Sequence, residues 1–353
     1  MKKSICVVLT LLFVLPAFAA CGTSSNPSGD SPDKMKLYVL NWGDYIDEDV
    51  LAEFISGHPE IEMHYDTTTS NEEMLIQVQN ESSIYDLCVP SDYMISKMVK
   101  MDLLQPLDFS QIPNFENIDP AFLGKEFDPE NRYSVPYLWG TVGIVYNKTM
   151  VSEPVDSWEI LWDPDYSKQI IMYDSIRDSM AVALKKLGYS MNSTDPDQIA
   201  QAEAELIRQK PLVLAYLVDD IRERMISGSA AFGVMYAGDA ITCIEENPDL
   251  EYVIPKEGSN VWFDNAVLLK RSQNAEAAHI FINYLCDAEV ARRNSEYIGY
   301  STPNKAAMEM MDDWNEDPIF NPPKEVVDRC EAYVDLGDAI SLYNDAWLRI
   351  KGQ

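Results

Sequence analysis

The stretch KLYVLNWGDYIDEDVLAEFISGHPEIEMHY, residues 36–65, decides the fold. Lys36 to Leu40 is a short run of apolar and β-favouring residues, which predicts a strand. After a loop holding Trp42, Gly43, Asp44 and Tyr45, the spacing switches. From Asp47 to Ser56, Val50, Leu51, Phe54 and Ile55 recur at helical intervals and predict an amphipathic helix. Ile61 to Tyr65 then predicts a second strand. A strand, a crossover helix and a strand within thirty residues is the unit of a parallel sheet.

The same alternation continues outward. Ser70 and Glu73 stand at capping-box spacing before a helix that would bury Met74, Leu75 and Val78. Asp86 to Val89 predicts a third strand, and Ser91 can cap a helix carrying Met94, Met98 and Met101. Tyr133 to Tyr146 crosses to a second set of elements. There, strands near 170–173, 213–215, 231–235 and 251–254 interleave with helices at 175–187, 197–209, 219–226 and 239–246. Asn265 to Leu269 predicts a strand returning to the first set, and the last fifth is helical. The prediction is an α/β chain in two lobes joined by several crossings, with a cleft between them.

At the ends of these apolar runs an aromatic ring and an Asp recur within three residues: Trp42/Asp44, Asp92/Tyr93, Tyr236/Asp239 and Trp262/Asp264. A ring face attracts an alkylammonium group, and a carboxylate adds a charge-assisted hydrogen bond once water is excluded. Open α/β folds place ligands at strand ends. Against this stands chance, because 58 acidic residues and 10% aromatics produce such neighbours, and aromatics also fill ordinary cores.

A hydrophobic content of 46%, with seven Trp and nineteen Tyr, excludes a disordered chain. The net charge of −31 disfavours nucleic acid and anionic lipid and is compatible with cationic ligands. Lys2 and Lys3, the apolar run Ile5 to Val14 and the small residues up to Ala20 read as an export signal over residues 1–20. Phe18-Ala19-Ala20-Cys21 resembles a bacterial lipobox, with Phe18 where such boxes usually carry Leu. Cys21 would then be the lipidated first residue of the mature chain. Residues 21–35, rich in Ser, Gly, Pro and Asn, would act as a flexible tether. Cys88, Cys243, Cys286 and Cys330 sit in or beside apolar segments, so buried free thiols are expected; disulfides remain compatible with export.

Catalytic signatures are missing. There is no phosphate loop, no Gly-x-Gly-x-x-Gly, no Gly-x-Ser-x-Gly, no His-Glu-x-x-His and no calcium loop. His58, His64 and His279 have no spaced partners and are read as structural. No metal and no cofactor is expected, and a hydrolase using two cleft carboxylates is the weaker alternative.

Five motifs then occur in order: Asn41-Trp42-Gly43-Asp44-Tyr45, Val89-Pro90-Ser91-Asp92-Tyr93, Pro136-Tyr137-Leu138-Trp139-Gly140, Trp262-Phe263-Asp264 and Ile298-Gly299-Tyr300-Ser301-Thr302-Pro303-Asn304. Together, from about Lys36 to Lys351, they resemble the spermidine- and putrescine-binding proteins of ABC importers, which have a two-lobed periplasmic-binding-protein fold. The resemblance implies lobe 1 over 36–139 plus 263–308 and lobe 2 over 140–262 plus 309–353. It also implies a cleft where rings sandwich polyamine methylenes and carboxylates hold the ammonium ends. Trp42 and Trp262 would sandwich or flank the ligand, Tyr93 and Tyr300 would complete the box, and Asp264 would be the principal carboxylate. Ser91, Asp44 and Tyr45 would face the cleft from lobe 1.

This chain departs from the pattern at several positions. Asp178 falls where the family has Glu, Ser175 where spermidine binders often carry Asp, Tyr236 where Trp is usual, and Tyr333 where some members have Gln. Asp239 resembles the carboxylate of the putrescine-type proteins. The implied protein is an extracytoplasmic, lipid-anchored monomer that passes its solute to an ABC-transporter permease and has no catalysis of its own. A binding protein for another small cationic solute is the alternative.

Overall fold

The computed structural model describes residues 34–218 and 220–352. The export signal, Cys21, nearly all of the tether and Asp219, the first residue of one predicted helix, lie outside them. The opening stretch folds as β1 (Met35–Trp42), α1 (Glu48–Gly57) and β2 (Ile61–Thr68), with β1 and β2 parallel in register from Met35↔Ile61 to Trp42↔Thr68. Asp47 caps α1 by accepting from the Asp49 N–H. Val50 and Phe54 are buried and Leu51 packs partly against the same core, whereas Ile55 turns to solvent. The buried stripe is therefore narrower than the apolar pattern predicted.

Next come α2 (Asn71–Gln79), β3 (Leu87–Cys88) and α3 (Asp92–Lys100). Ser70 caps α2 through the Glu73 N–H as expected, but the Glu73 carboxylate reaches back to the Thr69 N–H and the Thr68 and Thr69 hydroxyls. Ser91 stands at the start of α3 without capping it; its hydroxyl accepts from Asn71 Nδ2 at 3.0 Å. Met94 and Met98 are core, and Met101 is substantially exposed just past the helix.

The long strand β4 (Ser134–Asn147) joins the two halves. Beyond it lie β5 (Ile170–Tyr173), α4 (Ile176–Lys186), α5 (Pro196–Gln209), β6 (Val213–Leu217), α6 (Ile221–Ile226), β7 (Phe232–Tyr236), α7 (Ala237–Glu246), β8 (Leu250–Val253) and β9 (Val261–Leu268). The C-terminal part supplies α8 (Ala275–Leu285), α9 (Ala288–Ile298) and the short α10 (Lys305–Met308), α11 (Asp312–Asn315) and α12 (Lys324–Val327), then α13 (Ile340–Gly352).

Among the described residues the strands run β2-β1-β3-β9-β4-β7-β5-β6, with β8 pairing β4 off this path. The flanking pairs β1–β2, β1–β3, β5–β6 and β5–β7 are parallel, as crossover helices require. The centre is antiparallel, because β9 pairs β3 and β4, and β4 also pairs β7 and β8. The sheet is thus mixed rather than wholly parallel. The chain crosses between halves along β4 and returns along β9, and two such neighbours run in opposite directions.

Each half buries its own core. Leu37, Val39, Phe54, Leu87 and Phe281 pack together on one side, and Ile144, Trp158, Ile170, Leu184 and Phe232 on the other. Cys88, Cys243 and Cys286 are buried and Cys330 is half-buried, all as free thiols. His279 is a core residue whose Nε2 accepts the Asp108 N–H at 2.9 Å, His64 stacks on Tyr38, and His58 pairs with Glu60. No helix among the described residues is long and apolar enough to cross a membrane.

Candidate functional site

Strand β9 sets the centre of the site. Side chains alternate across a strand, so Trp262 and Asp264 share one face, while Phe263 turns to the other and packs with Trp139 and Phe122. Trp262 and Asp264 had been expected just before a strand; they lie within it, paired to Gly140 and Leu138 of β4. A Cβ on Gly140 would sit 2.7 Å from the Trp262 ring, so only glycine lets the indole lie flat against β4.

The loop after β1 brings Tyr45 to the same place. Asp44 takes a left-handed backbone conformation with φ of 50°, which turns the chain so that Asp44 faces solvent and Tyr45 faces inward. The Tyr45 hydroxyl donates to Asp264 Oδ2 at 2.6 Å, and Tyr137 pins the loop by donating to the Tyr45 carbonyl at 2.8 Å. Burial pushes the Asp264 carboxyl up to about 6, against the pull of the Ser91 and Tyr45 hydroxyls. Its other oxygen, Oδ1, is buried without a hydrogen-bond partner, and so is the Trp262 indole N–H.

An aromatic wall closes around this carboxylate. Tyr300 meets Trp262 edge-on at 4.8 Å and Tyr45 at 6.2 Å between centroids; Tyr236 meets Trp262 at 6.1 Å, and Tyr173 meets Tyr236 at 5.2 Å. Tyr300 follows Gly299, which ends α9 in the left-handed conformation at φ 82°. A Cβ on Gly238, at the start of α7, would fall 2.4 Å from the Tyr300 ring.

The second half contributes Asp178 near the start of α4. Tyr333 donates to its Oδ1 at 2.9 Å and Tyr236 to its Oδ2 at 3.4 Å. Ser175 serves as the cap of α4, accepting the Asp178 N–H at 3.4 Å. Tyr93 packs on Tyr333, Ala181 and Met191 from the first half, and its hydroxyl donates to Glu72 at 3.1 Å.

The structure therefore brings together Tyr45, Asp264, Trp262, Tyr300, Tyr236, Asp178, Tyr333 and Tyr93. It does not bring in the others the same way. Trp42 is half-buried at the edge of this group, its indole N–H donating to the Val89 carbonyl at 2.8 Å. Asp44 is exposed and shapes the loop. Asp239 lies 3.6 Å from Arg222 and its charge is felt at Tyr300. Ser91 bridges to Asp264 through the backbone and binds Asn71 instead of capping α3, and Ser175 works as the cap of α4.

Sequence reasoning left Asp92 out of the site. Fully buried, it accepts the Tyr93 N–H at 2.7 Å and the Phe263 N–H at 3.3 Å, so it ties α3 to the strand between Trp262 and Asp264. Burial pushes its carboxyl up to about 8, the Tyr93 N–H opposes that, and the charge of Asp264 adds to it. Its adjacency to Tyr93 was the one visible clue. Tyr137 lay within the Pro136–Gly140 motif without a role of its own, and Gly238 and Tyr173 carried no clue, since their roles depend on neighbours distant in the chain.

An electron-rich wall around a buried carboxylate oxygen without a partner is suited to an organic cation, because ring faces and carboxylate act together where water is excluded. Residues 56–322 match the bacterial extracellular solute-binding protein family. The chain belongs to this family. As a member it is an extracellular or periplasmic solute-binding protein and not an enzyme, so the hydrolase alternative falls. The chain is 35% identical over 322 residues to the spermidine/putrescine-binding periplasmic protein of Salmonella typhimurium, covering 90% of this chain and 92% of that protein. It is similar to the spermidine/putrescine ABC transporter substrate-binding protein of Streptococcus pneumoniae at 41% identity and a TM-score of 0.83, covering 90% of this chain and 99% of that one. A lipoprotein of Treponema pallidum matches at 27% identity and a TM-score of 0.82, covering 90% of this chain and all of that structure. The two-lobed fold expected from the motifs is that of these solute-binding proteins.

Proposed function

We propose that this member of the family captures putrescine or spermidine between its halves and delivers it to an ABC-transporter permease. The observation that carries the reading is the buried, unpartnered Asp264 Oδ1 enclosed by Trp262, Tyr300, Tyr45 and Tyr236. A protonated amine would meet Asp264 there, with its methylenes against the rings and Asp178 serving a second ammonium. Distinct carboxylates at the two ends measure ligand length, while rings shed water from the chain and strengthen the ion pairs. The spermidine/putrescine binders among its relatives support the same ligand class.

On this reading lobe 1 comprises 36–139 plus 263–308, lobe 2 comprises 140–262 plus 309–353, and Trp42, Asp44, Ser91, Ser175 and Asp239 line the rim of the cleft. Closure is hinge motion favoured by ligand contacts made only in the closed state. The Lys100–Asp335 ion pair, at 3.0 Å between α3 and the C-terminal segment, supports a closed arrangement here. The protein would be a monomer held to the membrane by a lipid on Cys21; the Treponema pallidum relative is a lipoprotein.

Calorimetric titration of the mature protein with putrescine, spermidine and an amino acid tests the proposal. Saturable heat from a polyamine is expected. Heat from the amino acid alone, or from none of the three, would reject it.

A further inference from the structure

We infer that Arg177 is a positioning residue for the solute site: its guanidinium holds the Tyr333 ring so that the phenol hydroxyl meets Asp178. The inference rests on the reading of Asp178 as an ammonium-holding carboxylate. Arg177 immediately precedes Asp178 in α4, and consecutive residues on a helix point apart, so it cannot act on the same ligand group directly. It acts instead on the segment that crosses above Asp178.

The contacts are specific. Arg177 Nη1 donates to the Val334 carbonyl at 3.2 Å and Nη2 to Asn192 Oδ1 at 2.8 Å. Its central carbon lies 4.3 Å from the Tyr333 ring centroid and 5.7 Å from that of Tyr343. Asn192 completes the cage, accepting the Val334 N–H at 3.1 Å and donating to the Ala332 carbonyl at 2.8 Å, so both neighbours of Tyr333 are tied down. Tyr343 is itself fixed by donating to the Ser193 carbonyl at 2.7 Å. A planar fork that bonds two acceptors while stacking on a ring is something a lysine ammonium cannot reproduce.

The consequence falls on Asp178. Each of its oxygens accepts one phenol, from Tyr333 and Tyr236, which leaves each oxygen one lone-pair direction for an ammonium. Release of Tyr333 would let the Asp178 carboxylate turn away from that direction.

The test compares the mature wild type with Arg177→Met, Arg177→Lys, Tyr333→Phe and the Arg177→Met/Tyr333→Phe double variant, titrated with putrescine and spermidine by calorimetry. Arg177→Met is expected to weaken binding about tenfold, and Arg177→Lys to recover little of that loss. Tyr333→Phe should weaken binding in the wild type and add nothing to Arg177→Met. Additive losses, full rescue by lysine, or unchanged affinity in Arg177→Met would overturn the inference. A second readout needs no ligand and uses Arg177→Lys should the methionine variant not fold. In the wild type the Tyr333 hydroxyl proton, bonded to Asp178, is expected to exchange slowly enough to be seen by NMR, and in Arg177→Lys it should be lost; its absence in the wild type or its persistence in the variant would overturn the positioning role. A wild type that binds neither polyamine would instead sink the polyamine reading.

Discussion

Replacing Asp264 by Asn should strengthen the fold and weaken ligand capture at once. In the folded protein burial holds the Asp264 carboxyl at about 6, against an ordinary value of 3.8. A raised carboxyl pKa means that the native state binds more protons than the unfolded chain between those values. Its contribution to stability is therefore fully present below the ordinary value and is lost as pH rises through about 6. At neutral pH the buried anion costs up to about 3 kcal/mol, at 1.36 kcal/mol per pKa unit. An amide of the same shape does not ionise and can still accept from Tyr45, which donates to Oδ2. The Tyr45 bond is already contained in that shift, so a net gain of up to about 3 kcal/mol is expected at pH 7. Urea denaturation of ligand-free wild type and Asp264→Asn at pH 7 and pH 4 reads this directly: the gap should be wide at pH 7 and nearly closed at pH 4. Polyamine affinity at pH 7 should fall at least tenfold, about 1.4 kcal/mol, because a desolvated ammonium loses its counter-charge. Equal stability at both pH values, or an unchanged dissociation constant, would refute the placement of a strained, ligand-facing carboxylate at this position.

Other expectations follow from the same geometry. Because Asp264 must be ionised to hold a cation, polyamine affinity should rise with pH through about 6, opposite in sign to the stability change, and calorimetry across pH 5 to 8 would show it. Gly238→Ala places a methyl 2.4 Å from the Tyr300 ring, so about 1–3 kcal/mol of stability and much of the affinity should go together in denaturation and titration. Ser175→Ala removes the cap of α4 and should cost about 1 kcal/mol of stability; an affinity loss beyond tenfold would instead make Ser175 a ligand contact.

What the chain's own order of residues determined here is local. The βαβ opening over 36–65, the capping residues Asp47 and Ser70, and the clustering of rings with Asp at 42–45 and 262–264 all follow from periodicity and side-chain chemistry over a few residues. Tertiary structure decided what depends on distant partners. The antiparallel pairing of β4 with β9 makes the centre of the sheet mixed and sets Trp262 beside Gly140, more than a hundred residues away. It leaves one Asp264 oxygen without a partner while Tyr236 and Tyr333 occupy both oxygens of Asp178. It turns Asp44 to solvent and Ser175 to capping, although both resembled ligand groups. Burial and hydrogen-bond satisfaction are properties of an environment assembled from many segments. A residue's type states which charge it can carry, and only the fold states whether that charge is already matched.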